Sequence, residues 1–115
     1  MSPDALPVVR GTLETLALHT LASGREMHGF EIIEWIHRTS GDELQVEQGA
    51  LYPALHRMEE RGWLTSLWRV SEKGRKAKYY RLTAKGKRAL VQAEGRWARY
   101  VAAVERLAGA SEAGS

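Results

Sequence analysis

Residues 49–63, GALYPALHRMEERGW, constrain the fold more than any other stretch of the chain. Leu51, Leu55 and Met58 fall at i, i+4 and i+7, so one helical face is apolar. The opposite face carries Tyr52, His56 and Arg57, and meets no carboxylate until Glu59 and Glu60. Gly62 then ends the helix, because glycine takes the left-handed conformation past a last turn at little cost. Pro53 lacks an amide hydrogen and crowds the preceding turn. The helix therefore either begins close to Gly49, where a missing N–H matters least, or bends mildly at Pro53. Either way its early amides are free to meet an anion. A hairpin-like segment follows, with Lys73-Gly74-Arg75-Lys76 at its tip. A polar, cation-bearing helix face followed by a basic hairpin suits a groove reader with a backbone clamp. The same residues also fit an ordinary amphipathic helix with a solvated outer face.

Charge distribution separates these readings better than total charge does. The 115-residue chain, one domain by length, has a net charge of only +3. Between Glu47 and Arg88, however, eleven Lys and Arg stand against four Glu, whereas the flanks hold six Arg against ten Asp and Glu. A basic middle third is the expected footprint of a nucleic-acid partner. A membrane-surface patch would place its cations along one amphipathic helix rather than on a turn. No apolar stretch approaches the roughly 18–20 residues of a membrane span. The N-terminal MSPDALPVVRG has no charged start followed by an apolar run, so no secretory signal is expected. Cysteine is absent, which removes disulfides and thiolate metal sites and is compatible with a cytoplasmic setting.

Read in order, the chain is mainly α with a small β wing. Pro3 and Pro7 discourage a helix in residues 1–10, which read as an arm. A helix is expected from about Gly11 to Ser23. Its apolar arc of Leu13, Leu16, Ala17, Leu18 and Leu21 is wide enough for burial on two sides, against a core and a partner subunit. A second helix spans about His28 to Ser40, with Phe30, Ile32, Ile33 and Ile36 inward. Leu44–Val46 fits a minimal strand, and a third helix runs from about Gln48 to Arg61. Residues 64–70 and 77–82 read as strands joined by a turn centred near Gly74. Two strands alone are marginal, so they must lie on the helices or pair with the segment near Leu44. Thr83 is a good N-cap for a last helix reaching about Ala108. Leu90, Trp97 and Val104 repeat every seven residues, as do Ala93, Tyr100 and Leu107 at an offset of three. Such a seam favours contact with a second copy of the helix. Residues 109–115 read as a disordered tail. The expected units are thus an arm (1–10), a winged helix-turn-helix (11–82), a C-terminal dimerisation helix (83–108) and a tail (109–115).

Catalytic patterns are missing. His19, His28, His37 and His56 form no close ligand pair, and no Asp or Cys cluster completes a metal site. No serine occupies a nucleophile elbow, and the glycines are too scattered for a phosphate loop. Glu59 and Glu60 read as a solvated helix end. Neither an enzyme, a cofactor nor a bound metal is expected.

Three segments carry a family resemblance: MHGFEII (27–33), GALYPALHRMEERGW (49–63) and AKYYRLTAKGKRAL (77–90). They resemble the signatures of PadR-type transcriptional regulators, over about residues 11–108, and specifically the short subfamily with one dimerisation helix. The resemblance implies a homodimeric repressor on double-stranded DNA, with an inverted-repeat operator of ATGT/ACAT-like halves. Its recognition helix would enter the major groove and its wing would touch adjacent backbone. Mapped onto this chain, Gln48, Gly49, Tyr52, Pro53, His56 and Arg57 would meet DNA from the third helix. His28 would approach a phosphate at the start of the second, and Lys73, Arg75, Lys76 and Lys78 would do so from the wing. Leu13, Leu16, Leu90, Ala93, Trp97, Tyr100, Val104 and Leu107 would form the dimer contact. Trp97 is either a stacking wall for an aromatic effector or simply part of the dimer core. Trp35, Trp63 and Trp68 read as packing residues. Two departures stand out. Gln48 occupies a position that is often Pro in the family, and Phe30 one that is often Tyr. The rival reading is a winged helix that holds a protein partner without sequence-specific DNA binding.

Overall fold

The computed structural model describes residues 6–7 and 12–114, with side chains over residues 12–110. Its elements are β1 (Leu6–Pro7), α1 (Leu13–Leu21), β2 (Met27–His28), α2 (Gly29–Thr39), β3 (Leu44–Gln45), α3 (Gln48–Glu60), β4 (Leu64–Val70), β5 (Lys76–Leu82) and α4 (Ala84–Gly114).

Each junction has a local cause. The start of α2 is a reciprocal cap. The Glu31 N–H donates to His28 Nδ1 (3.3 Å), and the His28 N–H donates to Glu31 Oε1 (3.1 Å). Between α2 and α3 the chain reverses through Gly41 (φ 64°) and Asp42 (φ 63°). The Val46 N–H donates to His37 Nε2 (2.8 Å) and the Leu44 N–H to Ser40 Oγ (3.1 Å), so both ends of this turn are tied to α2. Helix α3 starts at Gln48 and runs through Pro53 unbroken. It ends as expected: Gly62 (φ 78°) follows the last turn and the Trp63 N–H returns to the Met58 carbonyl at 3.0 Å. Thr83 fixes two elements at once. Its Oγ1 donates to the Gly62 carbonyl (2.6 Å) and accepts from the Gly86 N–H (3.0 Å), capping α4. Gly86 has no room for a side chain, because a Cβ there would collide with the Trp63 carbonyl.

The core lies where α1, α2 and α3 meet, with Leu18, Leu21, Ile32, Leu51, Leu55 and Met58 fully buried. Leu64, Tyr80 and Leu82 close it from the sheet, and Leu90 and Ala93 from α4. Burying a Leu side chain contributes about 1.5–3 kcal/mol, so α3 is held mainly by its apolar face.

Several expectations are corrected. The wing finds its third strand in β2, not near Leu44: the antiparallel order is β2-β5-β4, with Met27 opposite Tyr80. The Leu44 segment instead pairs in parallel with Leu6–Pro7. The rest of the expected arm, residues 1–5 and 8–10, lies outside the described residues. Helix α4 continues to Gly114, through the stretch expected as a tail, where Ala108, Ala110 and Ala113 are strong helix formers around Gly109. Phe30 is exposed rather than core, because it lies on the side of α2 away from Ile32, Ile33 and Ile36. Trp68 is 64% exposed and packs little, since it sits on β4 beyond the buried base at Leu64. Trp35 and Trp63 do pack against the core.

Candidate nucleic-acid interface

Burial of Leu51, Ala54, Leu55 and Met58 decides what α3 shows to solvent. At about 100° per residue, Gly49, Pro53 and His56 then stand at the centre of the outer face. Gln48 and Tyr52 lie on one flank, and Arg57 and Arg61 on the other. His56 is 70% exposed, with Nε2 at 3.5 Å from Glu60 Oε1. Tyr52 leans on the start of α2: a Cβ at Gly29 would lie 2.5 Å from Tyr52 Cε1 and 2.7 Å from its hydroxyl oxygen. The absent side chain at Gly29 is therefore what seats the Tyr52 ring.

Both flanks of α3 are tied to other elements by carboxylates. On one side Glu59 accepts from Ser66 Oγ of β4 and from Lys78 Nζ of β5, the latter at 2.8 Å. The Lys78 bond, then the Ser66 bond, holds the Glu59 carboxyl below its ordinary range. The same bond to Glu59 raises the Lys78 ammonium. Burial pushes the Tyr80 phenol up. On the other side Glu14 of α1 binds Arg57 Nε (3.1 Å) and Arg61 Nη1 (2.6 Å).

The wing tip is a tight turn. The Ser71 N–H donates to the Arg75 carbonyl (2.7 Å), and the Gly74 N–H to the Ser71 carbonyl (2.9 Å), with Gly74 at φ 77°. Lys73 Nζ lies 5.5 Å from the centre of the Phe30 ring, a cation–π contact that leans the tip on α2. Arg75 and Lys76 are exposed and make no ion pair among the described residues. Lower on the wing, Arg69 lies over the Tyr79 ring at 4.2 Å, with Nη2 3.4 Å from Glu26 Oε2. That carboxylate oxygen is buried and accepts no hydrogen bond among the described residues, and Arg69 stands beside it as a compensating charge.

The structure thus sorts the expected residues. His28, Tyr52, Lys73, Arg75, Lys76 and Lys78 line one open groove of about 1160 Å³ between the start of α2 and the wing. Gln48, Gly49, Pro53 and His56 lie outside it, on α3. Within this set, His28 is occupied as a helix cap, its ring edge-on to Tyr79 at 5.2 Å. Lys78 belongs to the Glu59 clamp rather than to the free tip, and Arg57 is engaged by Glu14. Sequence reasoning missed Glu14, Glu59 and Ser66. The Glu14–Arg57 pair spans 43 residues and the Glu59–Lys78 pair 19, so no local spacing signals either.

The heptad seam of α4 divides in two. Leu90 and Ala93 are buried within the protomer and are not free to meet another chain. Leu13 and Leu16 are half-buried against the same core. Trp97, Tyr100, Val104 and Leu107 are exposed, and the Trp97 and Tyr100 rings stack at 6.0 Å with 20° between planes. The domain packs against the first turns of α4 and leaves the later ones uncovered.

Three helices, a turn that sets the third across the second, and a hairpin wing define a winged helix-turn-helix. The profile described as "Transcriptional regulator PadR-like family" matches residues 17–92. The chain belongs to this family. Solved structures agree. A transcriptional regulator from Clostridium thermocellum is 26% identical, with a TM-score of 0.76 over 84% of this chain and 93% of its own. A PadR-family transcriptional regulator from Eggerthella lenta is 31% identical, with a TM-score of 0.71 over 85% and 82%. A PadR-family transcription regulator from Clostridium difficile is 29% identical, with a TM-score of 0.67 over 82% and 94%. Among curated proteins, none matches the chain significantly. No helix among the described residues is long and apolar enough to cross a membrane.

Proposed function

We propose that the protein is a homodimeric, sequence-specific DNA-binding repressor acting on an inverted-repeat operator. The observation that carries this reading is the arrangement around α3. The outer face of Gly49, Pro53 and His56 is free of packing, and Tyr52 lies beside it with Arg75 and Lys76, wing cations that make no ion pair among the described residues. Such a face inserts into a major groove while the tip takes phosphates on the adjacent backbone. Tyr52 and Gln48, on the flank nearest the wing, are the residues assigned to the groove edge. Residues 11–82 form the reading unit and α4 the dimerisation element, through the exposed turn-by-turn seam of Trp97, Tyr100, Val104 and Leu107. A dyad through that seam sets two half-sites about 10 bp apart. The stacked Trp97 and Tyr100 rings offer a flat wall to an aromatic effector, whose differential affinity for two dimer geometries would couple it to DNA.

The decisive experiment is selection of bound sites from random duplex DNA by the purified full chain. A symmetric enriched motif is expected. An absence of enrichment would sink the reading and favour a protein-binding winged helix instead.

A further inference from the structure

Helix α1 lies away from the reading face, yet its single carboxylate, Glu14, reaches across to α3. Glu14 Oε1 lies 3.1 Å from Arg57 Nε, and Oε2 lies 2.6 Å from Arg61 Nη1. Glu14 is the most shielded of the three, 21% exposed against 52% for Arg57 and 49% for Arg61. Two guanidinium groups therefore share one carboxylate, and this flank of α3 presents one net positive charge rather than two. Among the described residues, Arg57 hydrogen-bonds through its Nε, to Glu14. Arg61 also rests over the Trp63 ring at 5.0 Å, which keeps it beside Arg57. Phosphate and carboxylate offer a guanidinium the same kind of paired anionic oxygens.

We propose that Glu14 is a specificity-determining residue, an internal competitor for DNA phosphate at Arg57 and Arg61 that weakens binding to arbitrary DNA more than binding to the operator. The proposal rests on the DNA-binding reading above. Its physical basis is the difference between the two modes. Binding to arbitrary sequence is almost entirely electrostatic and scales with the number of phosphates neutralised. A backbone held by charge alone meets a flank already half-neutralised. An operator backbone is held in register by base contacts elsewhere, and it can displace a half-exposed ion pair, which is a weak interaction. Glu14 therefore discriminates without touching DNA.

The test compares the full-length wild type, Glu14→Gln, Arg57→Gln/Arg61→Gln and the triple variant. Each is titrated over a range of salt on an arbitrary duplex and on the operator recovered by selection. Glu14→Gln keeps the size of the side chain and one acceptor while removing its charge. Near 0.1 M salt it should bind the arbitrary duplex roughly threefold to tenfold tighter, with a salt slope steeper by about one unit. The operator affinity should change less, and the gain should be absent when both arginines are Gln. A gain that persists without the arginines would reduce the effect to bulk charge and overturn the proposal. So would an unchanged affinity, or a loss on both duplexes, which would make Glu14 a positioning residue for the arginines. Should Glu14→Gln fail to fold, Arg57→Gln/Arg61→Gln decides alone. Its salt slope on the arbitrary duplex should fall by about one unit; a fall of about two would mean the carboxylate blocks nothing. Salt-insensitive wild type on both duplexes would defeat the DNA-binding reading itself, an outcome distinct from all of these.

Discussion

Helix α3 and the wing tip both carry cations, but they hold them differently. On α3, Arg57 and Arg61 are gripped by Glu14, and Glu59 grips the wing in return. At the tip, Arg75 and Lys76 have no ion pair among the described residues. The helix is fixed in orientation on both flanks, whereas the tip keeps its charge available. Orientation serves readout and free charge serves affinity, so the two regions should fail in different ways when altered.

The largest effect should come from removing the support of α3. Leu55 is fully buried, and Leu55→Ala should destabilise the fold by about 2–5 kcal/mol, measured by denaturant unfolding. This change would remove both regions together; a cost well under 1 kcal/mol would mean that α3 is not held by its inner face. Next, Arg75→Gln/Lys76→Gln should leave stability within about 0.5 kcal/mol. It should lower the salt slope of DNA binding by about two units, on every sequence alike. A change confined to one operator sequence would show the tip to be a reader rather than a clamp. Gly29→Ala probes the helix side. The added methyl would force the Tyr52 ring away from α2. The expected result is a loss of operator affinity worth about 1–2 kcal/mol, with binding to arbitrary DNA and its salt slope unchanged. Equal losses on both DNAs would remove Tyr52 from sequence readout.

The smallest effect concerns the link between the two regions. Glu59→Gln should cost about 0.5–1 kcal/mol of stability at neutral pH. The Glu59 carboxyl is held below its ordinary value of 4.5 by Lys78 and then Ser66. Its contribution is therefore present above pH 4.5 and fades as pH falls through the lowered pKa. Lys78 is raised above 10.5 by the same bond, so its share is present below that pH and fades as pH rises through the raised pKa. Wild type and variant should accordingly converge at strongly acidic pH and differ by a constant amount between about pH 5 and 10. A difference independent of acid would show that the clamp works by shape and not by charge.

The exposed half of α4 is a second contrast with α3, whose apolar face is satisfied inside the protomer. Trp97 and Leu107 remain uncovered. Replacing both by Ala should shift the protein toward monomer in sedimentation while leaving the melting of the core nearly unchanged. An unchanged sedimentation profile would mean that this face is not the proposed dimer contact.

Local pattern was enough for most of the architecture. The apolar spacing of Leu51, Leu55 and Met58, Gly62 past the helix end, Gly74 in the turn and the Thr83 cap all depend on residues within a few positions of one another. Their outcomes could be read from the chain alone, as could the basic middle third and the family resemblance. Contacts between distant segments were not legible. Phe30 and Trp68 look like core residues by composition, yet Trp68 sits on the exposed outer part of β4 and Phe30 on the side of α2 away from the core, and both are left exposed. The seven-residue repeat of α4 is continuous in sequence. Only the packing of the domain shows that Leu90 and Ala93 are already covered while Trp97 onward is not. Likewise a basic side chain in sequence is simply a charge. Tertiary structure decided that Arg57 meets Glu14, that Lys78 meets Glu59, and that Arg75 and Lys76 meet neither, because such pairings depend on how elements separated by tens of residues are brought face to face.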